Sequence, residues 1–280
     1  MRVLVFGGAG MLGSEVVRLG RKLGHTVVAP PHTGADITKK GEVRRLASIV
    51  HPHLVINCAA YIDVKGCEDD PDKAYNVNAL GSQNCAQVAG GYNAKYVYVS
   101  TGCVFGKESS DASVFQERSE PNPWCNYGCT KKIGEYLALN ANPKTYIVRV
   151  SALFGPSECR GKGYNFPQLV YKKLKEEGRF TINSIGRISP TYAPDAAKAM
   201  WQAVETLPPA IFHFTNSGSC YWHDFAARTK ELCGLDGYID FNTELETERP
   251  RSVALLNTSP IKLRGWGDAL KDYCKTLTNG

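Results

Sequence analysis

The chain has 280 residues, 43% of them hydrophobic and 21% charged, which is enough apolar side chain for a full core and excludes a disordered polymer. Its 33 Lys and Arg against 27 Asp and Glu give a net charge of +6, scattered without the basic run that a nucleic-acid-binding arm needs. No stretch is long and apolar enough to span a bilayer, and the ten cysteines lack a secretory signal or a paired CxxC spacing, so they read as reduced, small buried residues with no metal site among them.

The first strand is "RVLVF", which runs straight into "GGAGMLGSEVV", too short an apolar stretch for a signal peptide, so a soluble cytoplasmic protein is expected. Gly7, Gly10 and Gly13 stand in G-x-x-G-x-x-G spacing between that strand and a following helix. Glycine permits the tight turn and lets backbone N–H groups reach a pyrophosphate, whose charge a helix N-terminus favours. Dinucleotide binding by Gly7, Gly10, Met11, Leu12 and Gly13 is therefore the expectation. After the second strand, "HTVV", comes "APPHTGADIT", where Ala29, Pro30, Pro31 and His32 occupy the place of the acidic residue that would hold an adenosine ribose. Nothing there repels a 2′-phosphate and no arginine clamps it, so NADP(H) is mildly favoured over NAD(H), with His32 or Lys39 as contacts and Asp36 and Ile37 bordering the adenine.

"HLVINCA", "KYVYVS" and "TYIVRV" continue the strand series, separated by helical "KAYNVNALGSQNCAQVA" and "CTKKIGEYLAL", as parallel strands require because each crossover needs a helix. Beyond Arg149 the rhythm breaks: "SALFGPSECRGKGYNF" is loop-like, "TINSIGRISPTYAPDAAKAM" reads as strand, loop and helix, "IFHFTN" as a strand and "YWHDFAARTKELCG" as an amphipathic helix. The fold class is α/β: a Rossmann-type doubly wound parallel sheet with a smaller interwoven C-terminal substrate domain. The expected division is 1–150 plus about 188–215 for dinucleotide binding, and about 151–187 plus 216–280 for the substrate.

"NYGCTKK" puts Tyr127 and Lys131 four residues apart, on one face of a helix. An ammonium beside a phenol lowers the tyrosine pKa from its ordinary value near ~10, which makes Tyr127 a proton donor usable near neutrality. Thr101 ends the strand in "VSTGCVFG" and would sit at the carboxyl edge of the sheet, where open α/β folds bind ligands and where its hydroxyl can bond a carbonyl. Cys103, two places on, is either a small packing residue or a proton-transfer group.

The order of the glycine loop, "VINCAAYIDV", "AYNVNALGSQN", "VYVSTGCVF", "YGCTKKIGE", "IVRVSALFG", "SPTYAPDAA" and "RPRSVALLNTS" resembles the extended short-chain dehydrogenase/reductases over nearly the whole chain. The nearest branch looks like dTDP-4-dehydrorhamnose reductase. The resemblance implies hydride transfer from a nicotinamide to a keto carbon of a nucleotide-diphosphate sugar. Tyr127 would give the proton, Lys131 would also hold the nicotinamide ribose, Thr101 would orient the substrate, and Cys58, Ala59, Ala60, Tyr61 and Asn78 would line the cofactor cleft. Departures from that branch are Gly102 and Cys103 where it has Asp-Tyr, Ala152 where it has tryptophan, and Asn257 where it has aspartate.

The Gly-Cys pair is similar instead to bifunctional 3,5-epimerase/4-reductases, in which a cysteine and a second His or Lys move protons at carbons flanking the ketone. The aligned second position falls on Leu169, leaving Lys162, Lys172 or Lys173 to substitute. A third alternative is a non-catalytic subunit resembling the regulatory one of methionine adenosyltransferase, which shares the "RPR" stretch. Arg187 and Arg249 are candidates to grip the diphosphate, because a guanidinium fork matches phosphate oxygens, and Asn165 is a candidate for a sugar hydroxyl or for a helix start. No nucleic-acid or membrane partner is expected, and a homodimer is left open.

Overall fold

Alternation of branched apolar residues builds the first strand, β1 (Arg2–Phe6), whose Val3 and Val5 face one layer while Leu4 and Phe6 face the other. It opens a computed structural model that describes residues 1–110, 113–157, 163–183, 186–242 and 250–278. Across the glycine turn follow α1 (Met11–Lys22), β2 (Thr26–Val28), α2 (Lys40–Val50), β3 (Leu54–Asn57), α3 (Val64–Asp69) and α4 (Pro71–Tyr75). A π turn at Asn76–Leu80 leads into α5 (Gly81–Gly91), β4 (Lys95–Thr101), a 3₁₀ turn at Gly102–Val104, α6 (Asn126–Ala141) and β5 (Thr145–Val150). The rest comprises β6 (Leu153–Phe154), α7 (Phe166–Glu177), β7 (Arg179–Asn183), β8 (Arg187–Ile188), β9 (Thr191–Tyr192), α8 (Ala193–Thr206), β10 (Ile211–His213), β11 (Cys220–Tyr221), α9 (Trp222–Leu232), β12 (Tyr238–Asn242) and α10 (Trp266–Thr278).

Six strands pair in parallel in the order β2-β1-β3-β4-β5-β10. Helices α1 and α8 cover one face over Val3, Val5, Val97 and Trp201, and α2, α5 and α6 cover the other over Leu4, Phe6, Tyr96 and Tyr98. Burial on both faces is why these strands read as continuous apolar runs instead of alternating ones. The α1–α8 contact is close because Gly20 has no side chain: a Cβ there would come within 2.4 Å of the Trp201 ring, whose Nε1 donates to the Val16 carbonyl at 3.0 Å.

The helix expected across "KAYNVNALGSQNCAQVA" is broken by the π turn. Asn78 explains the break, since its side chain leaves the helix to bond the backbone of Tyr61 in both directions, accepting from the Tyr61 N–H at 2.9 Å and donating to its carbonyl at 3.0 Å. The Tyr98 hydroxyl donates to the Asn78 carbonyl at 2.7 Å and so satisfies the group the wide turn leaves over.

The C-terminal lobe is built from three two-stranded pairs, β6 with β9, β7 with β12 and β8 with β11, packed by α7, α9 and α10 around Phe154, Phe225, Tyr273, Phe180 and Ile182. A strap at residues 250–258 returns from this lobe toward the end of β4, where Phe115 and Leu255 bridge and the Val253 carbonyl lies so near Gly102 that a Cβ there would sit 2.5 Å away. Neither β12 nor α10 was expected from the sequence. Among the described residues no helix is long and apolar enough to cross a membrane.

Candidate active site

Strand order reverses between β1 and β3, so the loops leaving their carboxyl ends diverge and open a crevice there. Phe6 and Asn57 are paired neighbours at those ends, which sets the glycine turn beside Cys58–Ala60. Gly7 has φ +70°, and a Cβ on it would sit 2.5 Å from the Ala59 nitrogen, so only glycine fits both the backbone and the space. Helix α1 starts at Gly10 with no side-chain cap and no acidic residue in its first turn, leaving its first N–H groups and the positive end of its dipole for an anion.

From this turn a cavity of about 870 Å³ runs along the sheet edge, lined by Gly7, Gly10, Met11, Leu12, Gly13, Cys58, Ala59 and Ala60. Pro30, Pro31, His32, Asp36 and Ile37 line the same cavity. Burial disfavours the Asp36 carboxylate, but hydrogen bonds from the Thr38 hydroxyl and N–H and the charge of Lys39 outweigh it and hold its pKa below the usual value. Lys39 itself pairs with Asp36 and Glu42 and does not line the cavity. Tyr61 and Asn78, expected in the cleft wall, stand behind it: Asn78 is fully buried, and its amide is spent on the Tyr61 backbone and on the Thr130 hydroxyl at 3.2 Å. They fix the loop that carries Ala59 and Ala60.

Thr101, Tyr127 and Lys131 all line the same cavity. Helix α6 is seated by Glu68, whose carboxylate accepts from the Asn126 N–H and side-chain amide at 2.7 Å each, and by Gly128, where a Cβ would come within 2.0 Å of the Cys103 carbonyl. That close approach carries Tyr127 to the end of β4, beside the Thr101 side chain. Burial, reinforced by the nearby Cys103, pushes the phenol well above its ordinary pKa against the opposing pull of Thr101. The expectation that Lys131 lowers it is thereby corrected. Lys131 is 1% exposed, with Nζ donating to the Val99 carbonyl at 2.6 Å and lying 4.0 Å from the centre of the Tyr98 ring. Burial pulls its amine down to about 7, opposed by the Glu135 carboxylate and then by Cys58.

The far wall comes from the C-terminal lobe: Ala152, Phe166, Leu169, Phe180, Ile182, Trp222, Pro250 and Arg251. Asn165 touches the cavity, but its polar atoms are committed. Its Oδ1 accepts from the Gln168 N–H at 3.1 Å in a capping box that starts α7, while its Nδ2 donates to the Gly155 carbonyl at 2.9 Å and the Tyr273 hydroxyl at 2.7 Å, so the structure assigns it the helix start and not a ligand. Arg187 is turned away as well, donating from Nε to Ser219 at 3.0 Å outside the lining residues. Arg249 lies outside the described residues. Arg251 is the arginine that the sequence reading missed, and its one signal was its place as the second arginine of "RPRS". Trp222 and Phe180 were missed too, because nothing local says which face of α9 or β7 meets the crevice.

Cys103 is half-buried beside Tyr127 and Cys125 and is not a lining residue. Lys172 and Lys173 of α7 do not line the cavity, Leu169 does, and Lys162 lies outside the described residues. No group of His, Cys, Asp and Glu among the described residues could hold a metal ion.

The family described as RmlD substrate binding domain matches residues 1–278. The spore coat polysaccharide biosynthesis protein SpsK of Bacillus subtilis is 33% identical over 97% of this chain and 96% of its own, and a dTDP-4-dehydrorhamnose reductase of Mycolicibacterium smegmatis is 33% identical over 84% and 70%. Among solved structures, a dTDP-4-dehydrorhamnose reductase from Clostridium acetobutylicum superposes with TM-score 0.91 at 31% identity, covering 99% of both chains. One from Bacillus anthracis, in complex with NADP, superposes with TM-score 0.89 at 26% identity over 98% of this chain and 99% of that one. With the glycine turn, the Tyr127–Lys131 helix and the lobe opposite them matched end to end, the chain belongs to the RmlD substrate binding domain family.

Proposed function

We propose that this protein reduces the 4-keto group of a nucleotide-linked 6-deoxyhexose with NADPH, the reaction for which its dTDP-4-dehydrorhamnose reductase relatives are named. The observation that carries this reading is the convergence of Thr101, Tyr127 and Lys131 on the cavity that the glycine turn opens. NADP(H) over NAD(H) is supported by the NADP-bound relative and by the lack of a carboxylate from Ala29 to His32. The uncapped start of α1 fits the pyrophosphate, and when bound the dinucleotide supplies a hydride to the carbonyl carbon. The chain then has to hold the ketone, shield it and deliver one proton. Tyr127 suits the proton step because burial keeps its phenol protonated at neutral pH, and the Thr101 hydroxyl beside it orients the same carbonyl oxygen. Arg251 replaces Arg187 as the guanidinium for the diphosphate, and the Phe166, Phe180 and Trp222 wall excludes water from the reacting face.

Incubation with NADPH and dTDP-4-dehydrorhamnose is expected to consume both and yield dTDP-rhamnose. Absence of turnover with that compound and with GDP- and UDP-linked 4-keto sugars would overturn the reductase reading in favour of a binding subunit.

The glycine turn gives a second test. A Cβ at Gly13 would stand 2.1 Å from the Gly7 carbonyl oxygen, so Gly13→Ala forces the turn open. Strain of about 1–3 kcal/mol loosens NADPH by about 5- to 150-fold. Fluorescence titration measures it, and parental affinity would show that the dinucleotide does not use this turn.

A further inference from the structure

Behind the catalytic helix face lies a buried cluster of charges that the proposed reaction does not yet use. Glu135, one turn beyond Lys131 on α6, is 4% exposed and is gripped by Arg149 of β5, from Nε to Oε1 at 2.9 Å and from Nη2 to Oε2 at 2.6 Å. The Ser100 hydroxyl donates to the same Oε1 at 2.5 Å. Ser100 sits between Val99, whose carbonyl takes the Lys131 ammonium, and Thr101.

Three other titratable groups face Lys131 from the elements packed on it. Cys58, at the end of β3, has its thiol pushed up to about 12 by burial, and the phenols of Tyr98 on β4 and Tyr127 on α6 are raised well above their ordinary values by burial too. All three are neutral at pH 7. Arg149 faces Glu135 from β5 as a cation, and His213 of β10 meets Arg149 with its own pKa lowered to about 4 by burial, so it is neutral as well. Glu135, buried like Lys131 and four residues beyond it on the same face of α6, is therefore the anion that acts on Lys131 among the described residues.

We propose that Glu135 is a positioning residue acting through Lys131. Its carboxylate, fixed by Arg149 and Ser100, is the counter-charge that keeps the Lys131 amine an ammonium beside Tyr127, and its grip on Ser100 holds the end of β4 between the Val99 carbonyl and Thr101. The catalytic consequence rests on the reductase reading given above, while the charge relation itself does not.

The test reads Lys131 directly in dinucleotide-free protein labelled with ¹³Cε-lysine, with the resonance assigned by its loss in Lys131→Arg. In Glu135→Gln the titration midpoint of Lys131 is expected to fall by about one pH unit or more. Glu135→Gln combined with Arg149→Met gives the same fall without leaving an unpaired guanidinium in the core, and so covers the case in which the single variant does not fold. Turnover of either variant should lose activity at lower pH than the parent as pH rises and recover when pH is lowered, which a merely structural defect does not do. A midpoint unmoved in both variants overturns the proposal. If the parent protein turns over no 4-keto sugar nucleotide, the reductase reading fails instead, and the lysine titration in dinucleotide-free protein still decides the charge relation between Glu135 and Lys131.

Discussion

Replacing Tyr127 with phenylalanine is expected to lower kcat by about 10²–10⁴-fold, the range a positioned general acid contributes, while NADPH affinity stays at the parental value. The change removes one oxygen, and that oxygen carries the proton the reduced carbonyl must receive. Burial keeps the phenol protonated, so at neutral pH the group is present almost entirely as the donor, and the loss should be equally large across that range. The interaction is made chiefly in the transition state, when negative charge grows on the carbonyl oxygen, so KM should move far less than kcat. Stopped-flow measurement of NADPH oxidation with saturating 4-keto sugar nucleotide separates the two. Parental turnover would remove Tyr127 from the chemistry and leave water or the Thr101 hydroxyl as the donor.

What could be read in the sequence follows from how local each signal is. Gly7, Gly10 and Gly13 lie within one turn, and Tyr127 and Lys131 lie on one face of one helix, so spacing alone brings each set together. The strands that end at Phe6, Asn57 and Thr101 were legible because both sides of each are buried. The direction in which Lys131 points was not, since its partner is the Val99 carbonyl on strand β4, remote from α6 along the chain. The same limit explains the arginines. Which of Arg187 and Arg251 reaches the crevice depends on pairings between distant segments, β8 with β11 and Arg187 with Ser252, and no local pattern encodes those. Asn165 shows a legible alternative winning: the amide-before-helix signal held, and the cap used up the atoms a ligand would have needed. The π turn at Asn76–Leu80 was hidden because its cause, the backbone of Tyr61, is remote from it along the chain.

Arg149→Met is expected to cost about 3–5 kcal/mol of folding stability, among the largest effects of any single change in the sheet. The guanidinium is 1% exposed and spends its donors on Glu135, on the His213 ring at 3.4 Å and on the Glu117 carbonyl at 3.5 Å, with Phe105 packed 5.0 Å from its central carbon. Removing it strands the Glu135 carboxylate in the core with only the Ser100 hydroxyl and the nearby Lys131 to answer it. The penalty is desolvation of an unpaired charge and not loss of a favourable bond, and the two causes predict different double variants. If desolvation dominates, Glu135→Leu with Arg149→Met restores most of the lost stability, because a buried ion pair replaced by apolar groups of similar volume is often neutral or better. If the bidentate bonds themselves supply the stability, the double variant remains as unstable as the single one. Urea unfolding at 25 °C distinguishes them, and a single-variant cost below about 1 kcal/mol would mean that water reaches Glu135 once the arginine is gone.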